Sequence, residues 1–321
     1  MVCMDIQYLL WLQNFRNSIN NAWTPFLEWV SLFAVTYLVM IPVFIYWALD
    51  KRKGLYTLAT YYAAVTVNAA IKLTACVYRP WIRDNRILPA GDAITTATGY
   101  SFPSGHTMTA TPIYGGLAVG AWKKWKWVSA ICIAMILLTG FSRNYLGVHT
   151  PQDVLVGLAV SALMLFLMNK LFGWCEANPD KEKWALLAGF LFGCAVIAYI
   201  TFKPYPMDYV DGKLLVDPQR MMNDGYGDPA TLIAFCAARA VERKWIRFKP
   251  TGLNAKGIAI CVVGLAVLWC MISYQRPVLD AALGAHWGHF FHSFIVVFYS
   301  IAIFPLVIRL VGGQRTEEAQ A

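Results

Sequence analysis

Long apolar runs recur along almost the whole chain, and they constrain the fold more than any single residue does. A helix crossing a bilayer needs about 20 apolar residues, because in hydrocarbon the backbone must satisfy its own hydrogen bonds. Such runs begin near Pro25, Leu55, Ser104, Trp127, Val154, Trp184, Pro229, Gly257 and Trp287. They predict an all-α integral membrane protein with about nine transmembrane helices. The run from Pro229 is the weakest, since Arg239, Glu242 and Arg243 follow closely. Composition points the same way: 58% of residues are hydrophobic and 14% charged, where a soluble domain carries charge on about a quarter.

The segment 1–22 reads differently. Asp5 stands where a signal peptide would be basic, and no small-residue cleavage site follows an apolar core. Ile6, Leu9, Leu10 and Phe15 fall along one side of a helical pattern, with Trp11 at its edge and Gln7, Asn14 and Arg16 among them. This predicts an amphipathic helix lying in the membrane interface ahead of the first span. Cys76, Cys132, Cys194, Cys236, Cys261 and Cys270 lie in apolar runs with no CxxC spacing. They are expected to be small buried hydrophobes rather than a disulfide or metal framework.

Loop charge predicts the orientation. With the amino terminus outside, segments 51–53, 123–126, 170–183, 239–256 and the tail from 309 face the cytoplasm and hold 17 of the 27 Lys and Arg residues. Asp208, Asp211, Asp217, Asp224 and Asp228 collect on the opposite side. The positive-inside rule therefore predicts amino terminus out and carboxyl terminus in. The net charge of +9 is accounted for by this bias and by anionic inner-leaflet lipids. No nucleic-acid partner is needed to explain it.

Three short segments carry chemistry. In the first, Lys72 to Arg79-Pro80, a helical reading puts the two cations about 20° apart on one stripe and ~10 Å apart along the axis. Snorkelling to headgroups suits Arg79, whereas Lys72 lies two turns deeper, where an unpaired charge is costly. In the second, Tyr100-Ser-Phe-Pro103-Ser104-Gly105-His106 runs into the third span, with Pro103 expected at the first helical position. Free N–H groups, the helix dipole and the Ser104 hydroxyl suit a phosphate, and His106 stands beside them as a proton donor. Taken alone, the segment also reads as an ordinary Pro-started helix with an interfacial histidine. In the third, Arg143 can grip phosphate oxygens in bidentate fashion, and Asp153 follows His149 by four residues. The carboxylate can then fix one imidazole nitrogen and leave the other free as a nucleophile. Thr150-Pro151-Gln152-Asp153 equally fits a helix capping box. The predicted topology puts all three segments at the same, non-cytoplasmic face.

Together, Lys72-x6-Arg79-Pro80, Pro103-Ser104-Gly105-His106 and Ser142-Arg143-x5-His149-x3-Asp153 resemble the three-part signature of the type 2 phosphatidic acid phosphatase superfamily. That group includes lipid phosphate, undecaprenyl pyrophosphate and sphingosine phosphate phosphatases and glucose-6-phosphatase. The resemblance implies a six-helix-type catalytic core, assigned to residues 23–202. An outer loop and an extension of about three further helices then occupy 203–321. The amino-terminal arrangement and the extra helices look more like the nine-span glucose-6-phosphatase and sphingosine phosphate phosphatase branch.

The resemblance also implies a metal-independent reaction without a cofactor. His149 would form a phosphohistidine, Asp153 would orient it, and His106 would protonate the leaving oxygen. Lys72, Arg79, Ser104, Gly105 and Arg143 would hold the phosphoryl oxygens. The expected substrate is a phosphorylated lipid, with undecaprenyl pyrophosphate first and a sphingoid or sugar phosphate second. The expected setting is the cytoplasmic membrane in a bacterium, among membrane lipids. A non-hydrolytic phospholipid carrier is the alternative from another class, and a drifted catalytic group would mark it.

Other polar residues are given structural roles. His286, His289 and His292 lack a nearby carboxylate or cysteine in sequence and read as packing or interfacial residues. Arg83 and Arg86 read as solvated loop cations, and Glu242 is expected to pair with Arg243 and Lys244.

Overall fold

A computed structural model describes residues 4–312 except 96, 98 and 211. The chain forms α1 (Met4–Ser18), α2 (Thr24–Thr36), α3 (Met40–Phe44, continued by a π-helical turn over Ile45–Leu49), α4 (Lys51–Ala75) and the short α5 (Pro80–Arg83). Then come α6 (Gly105–Ala121), α7 (Lys126–Tyr145), α8 (Pro151–Ala177) and α9 (Glu182–Phe202). The remainder is α10 (Pro218–Gly225), α11 (Gly227–Val241), α12 (Ala255–Phe298) and α13 (Phe304–Val311). Among the described residues the β structure is one antiparallel pair, β1 (Tyr209–Val210) with β2 (Lys213–Leu214). The fold is all-α, as expected.

Four helical stretches are long and apolar enough to cross a membrane: Lys126–Tyr145, Pro151–Ala177, Pro179–Phe202 and Ala255–Val311. A fifth span arises if α2 and the Met40–Leu49 stretch, bent by 43°, count as one. This is fewer than the nine expected, and the shortfall has a physical cause. The runs from Leu55, Ser104 and Pro229 became α4, α6 and α11, which are largely buried among other helices. Helices shielded from lipid carry polar residues or stay short; α6 has 17 residues and α11 has 15. By contrast, only 17% of the most apolar stretch of α8 and of α9 is buried. Their outward faces carry Leu155, Leu163, Phe166, Leu187 and Leu191, an apolar surface that suits lipid rather than water. The expected runs from Gly257 and Trp287 lie on either side of a break in α12 at Gly284, which holds φ 78° and ψ 160°.

α4 is the central helix, touching α6, α8, α9 and α11. Its start is fixed by Asp50, whose side chain accepts the Lys53 N–H. Its end is fixed by Cys76 in the left-handed region, φ 47°, a conformation that stops an L-residue helix. Small residues let its neighbours approach: a Cβ on Gly116 of α6 would lie 2.5 Å from Thr57 Oγ1 of α4. At the Lys51 end, fully buried Glu242 pairs with Lys51 at 2.5 Å and with Arg239. The expected partners Arg243 and Lys244 are replaced because Glu242 points into the bundle, while Arg243 reaches Glu182. The Lys72 end lies about 30 Å away along the helix.

α1 is more than a surface ornament. Ile6, Leu9 and Leu12 are its buried apolar residues, while Leu10 and Phe15 are half-buried. Arg16 donates to the carbonyls of Tyr145 and Leu88 at 3.0 and 2.7 Å, and Asp5 pairs with Arg83 at 2.8 Å. Arg83 is thus tied to α1 rather than solvated, and Arg86 pairs with Asp84 at 2.7 Å. Cys132, Cys236 and Cys261 are buried as expected, whereas Cys194 and Cys270 face outward from the bundle.

Candidate active site

The three sequence segments converge because each is bonded to the other two. Ser101 N–H donates to the Val77 carbonyl at 2.7 Å, and Lys72 Nζ donates to the carbonyls of Pro103 and Tyr100 at 2.8 and 3.3 Å. These contacts join the first and second segments. Ser104 N–H donates to the Asp153 carbonyl at 3.0 Å, joining the starts of α6 and α8. Arg79 joins the first to the third: Nη1 donates to the Val148 carbonyl and to His149 Nε2, both at 2.9 Å. Its Nε donates to the Gly99 carbonyl at 2.9 Å.

Two local expectations are corrected. Lys72 and Arg79 do not share a helical stripe, because α4 ends at Ala75 and Arg79 sits in extended backbone. They converge through the chain reversal at Cys76 instead. Pro103 is not the first helical residue either: Ser104 is the N-cap and α6 starts at Gly105. The Ser104 hydroxyl oxygen accepts from the Thr107 N–H and hydroxyl at 3.4 and 3.0 Å, which leaves its own proton for another acceptor. The Gly105 and His106 N–H groups are among those with no partner inside the helix.

The third segment turns sharply. Val148 and His149 N–H both donate to the Arg143 carbonyl, at 3.1 and 3.2 Å, and Gly147 adopts φ 75°. A side chain there would be strained, so glycine is what lets His149 fold back. Asp153 then fills both roles open in the sequence. Its Oδ2 accepts the Thr150 N–H at 2.8 Å while Thr150 Oγ1 accepts the Asp153 N–H at 3.4 Å, a capping box on α8. The same Oδ2 takes the Ser101 hydroxyl at 2.5 Å and lies 3.3 Å from His149 Nδ1. With Nδ1–H directed at the carboxylate, His149 Nε2 keeps the lone pair. Burial first, and the Arg79 cation second, push the His149 imidazole well below its ordinary range, which favours the neutral ring.

A cavity of about 170 Å³ opens at this junction, room for roughly five or six waters. Lys72, Arg79, Gly105, His106 and His149 line it. Ser104, Arg143 and Asp153 are buried and are not among its lining residues. His106 is buried, and its Nε2 has no partner. Arg143 is 1% exposed; Nη1 donates to Ser31 Oγ at 2.5 Å, while Nε and Nη2 have no partner. A buried guanidinium with two unmet donors is costly unless an anion or water completes it. Larger clefts of about 690 and 670 Å³ lie elsewhere and contain none of these residues.

Sequence reasoning missed four participants. Ser101 lies within the second segment, but nothing in its spacing marks it as the Asp153 ligand. Asn68 was legible in principle, being one turn from Lys72 on the same face of α4. Asp224 and Asp228 complete the cavity from α10 and α11, although the sequence placed them in an outer loop and beyond the core. Among the described residues no three His, Cys, Asp or Glu gather as a metal site. His289 Nδ1 lies 3.1 Å from the Asn223 carbonyl, and His286 packs edge-on to Tyr226.

Residues 53–176, which contain all three segments, match the family model described as PAP2 superfamily. The chain is 35% identical over 102 residues to phosphatidylglycerophosphatase B of Bacillus subtilis, covering 29% of this chain and 48% of that protein. It is 30% identical over 129 residues to mouse glucose-6-phosphatase catalytic subunit 1, covering 36% of each. It is also 30% identical over 153 residues to undecaprenyl-diphosphatase BcrC of Bacillus subtilis, covering 47% of this chain and 75% of BcrC. The chain belongs to the PAP2 superfamily. The matched stretch of this PAP2 protein runs from the start of α4 to the end of α8, so it holds the whole cluster around His149. The chain spans about half the length, or less, of the first two relatives. No solved structure matches it.

Proposed function

We propose that this PAP2 protein is a metal-independent membrane phosphatase that hydrolyses a lipid phosphate or diphosphate through a phosphohistidine on His149. The observation that carries the reading is the His149 environment: Nδ1 lies against Asp153 and Nε2 is beside Arg79 at the cavity wall. In the first step Arg79 turns its N–H from His149 Nε2 to a phosphoryl oxygen, the freed Nε2 attacks phosphorus, the phosphorus–oxygen bond to the leaving group breaks, and protonated His106 gives that oxygen a proton. In the second, neutral His106 takes a proton from water as it attacks phosphorus. The phosphorus–nitrogen bond then breaks and inorganic phosphate leaves. Lys72, Arg79, Arg143, the Ser104 hydroxyl and the Gly105 N–H hold the phosphoryl oxygens and stabilise charge as it spreads.

The proposed setting has about nine membrane-crossing helices, amino terminus out, with α1 in the interface and the site at the non-cytoplasmic face. The distribution of Lys and Arg supports that orientation. Single cysteines replacing Asn85 and Lys124 test it, since only the former is expected to react with an impermeant label from outside. Undecaprenyl diphosphate is one candidate substrate, supported by the likeness to BcrC. A second reading, a sugar or sphingoid phosphate, is favoured by the acidic wall that Asp224 and Asp228 give the cavity.

The test is phosphate release by purified protein in detergent, comparing wild type with His149→Ala. Release is expected from the wild type and lost in the variant. Undiminished release would eliminate His149 as the nucleophile.

A further inference from the structure

The cavity has two chemically opposed walls. One presents donors: Lys72, Arg79, the start of α6 at Gly105, and His106. The other, formed by Asn68, Asp224 and Asp228, presents acceptors. Two carboxylates beside a phosphate site are unfavourable for the phosphate itself, so they need a reason of their own. Asp224 has one, because Arg276 reaches it at 3.4 Å and also contacts Asp280 at 3.4 Å. Asp228 forms no ion pair at contact distance among the described residues; the Lys72 cation acts on it across the cavity, and the Asn68 side chain lies beside it.

Asn68 is the second, independent sign of a ligand. It is 5% exposed, it lines the cavity, and its Oδ1 has no partner. A buried amide oxygen left unmet is unfavourable, and a bound donor would satisfy it. It is also close to the chemistry: an ideal Cβ on Gly105 would lie 3.7 Å from Asn68 Nδ2. Asn68 and Asp228 thus line the same cavity as His106, the residue that protonates the leaving oxygen in the reading above.

Resting on the phosphohistidine reading above, we propose that Asn68 and Asp228 form a leaving-group subsite that accepts a hydroxyl or ammonium hydrogen from the substrate's alcohol. The substrate class is then a phosphomonoester whose alcohol carries a hydroxyl or amino group on the carbon next to the ester carbon. The cavity volume restricts it to the phosphoryl group and a few carbons, so a longer chain extends beyond it. Of the two candidates above, the subsite favours the monoester, because the second phosphate of a diphosphate would lie against Asp228 and Asp224.

The experiment uses the full chain in detergent micelles with four probes: decyl phosphate, its β-hydroxy and β-amino analogues, and farnesyl diphosphate. Wild type is expected to hydrolyse the hydroxy and amino compounds roughly tenfold to a hundredfold better than decyl phosphate in kcat/KM, the range for a hydrogen bond to a charged group. In Asp228→Asn that ratio is expected to fall towards one, and farnesyl diphosphate to gain relative to decyl phosphate. Equal wild-type rates on all four probes, a preference for the diphosphate, or an unchanged ratio in the variant would overturn the subsite. The wild-type comparison decides the matter even if the variant does not fold. Phosphate release from none of the probes would overturn the phosphatase reading itself. Release that is equal across probes yet lost in His149→Ala would overturn the subsite alone.

Discussion

Replacing Arg143 by methionine separates a phosphate-holding cation from a structural one. Arg143 is fully enclosed, bonds Ser31 through Nη1, and leaves Nε and Nη2 without partners. Losing the Ser31 contact costs about 1.5–3 kcal/mol, while removing two unmet donors relieves roughly 1–3 kcal/mol each. The relief offsets the loss, so the unliganded variant is expected to lie between about 1 kcal/mol less stable and about 4.5 kcal/mol more stable than wild type. In the transition state the same two nitrogens would each make a charge-assisted bond worth about 1.5–3 kcal/mol, so kcat/KM should fall roughly a hundred- to ten-thousandfold. The assay pairs phosphate release with thermal unfolding in detergent, with and without orthovanadate, which mimics pentacoordinate phosphorus. Wild type is expected to gain stability with vanadate by mass action, and Arg143→Met to lose that gain. A variant that unfolds many degrees lower yet keeps its vanadate stabilisation would refute the reasoning and make Arg143 a structural cation.

Three further outcomes follow from the geometry. Asp153→Asn retains an acceptor for the Thr150 N–H but no longer fixes the His149 tautomer. Its kcat should drop on the order of a thousandfold while its unfolding midpoint stays near wild type; a loss of stability with little loss of rate would leave Asp153 as a helix cap alone. Gly105→Ala adds a methyl whose nearest neighbour is at 3.7 Å, so the fold should persist while kcat/KM falls roughly tenfold to a hundredfold as the methyl enters the phosphate cradle; an unchanged rate would remove the Gly105 N–H from the site. Burial and Arg79 lower the His149 pKa, so the neutral nucleophile survives as pH falls and the acid limb of kcat/KM should lie below the ordinary imidazole value of 6.5. An acid limb at or above that value would contradict the neutral, buried ring.

The site was more legible than the helix arrangement around it. His149 and Asp153 could be paired from sequence because both lie at a helix start, where i,i+4 spacing and Pro151 fix their relation. Lys72 and Arg79 were brought together for the wrong local reason, since the left-handed Cys76 that ends α4 carries no sequence mark such as glycine. Apolarity alone did not separate the long lipid-facing helices from the enclosed ones. α4, α6 and α11 face other helices more than lipid, and the hydrophobic signal weakens where lipid is absent. Asp228 was misplaced because loop acidity and a cavity-lining carboxylate look alike in one dimension. Only the packing of α11 against α4 brings it near Asn68.

Direct detection of a phosphoryl group on His149 tests the central claim. Protein mixed with a labelled phosphate ester, quenched rapidly in alkali to preserve the phosphorus–nitrogen bond, would be digested and mapped by mass spectrometry. The account predicts label on the peptide bearing His149 in wild type and none in His149→Ala. Label at another residue, or label persisting in His149→Ala, would contradict it.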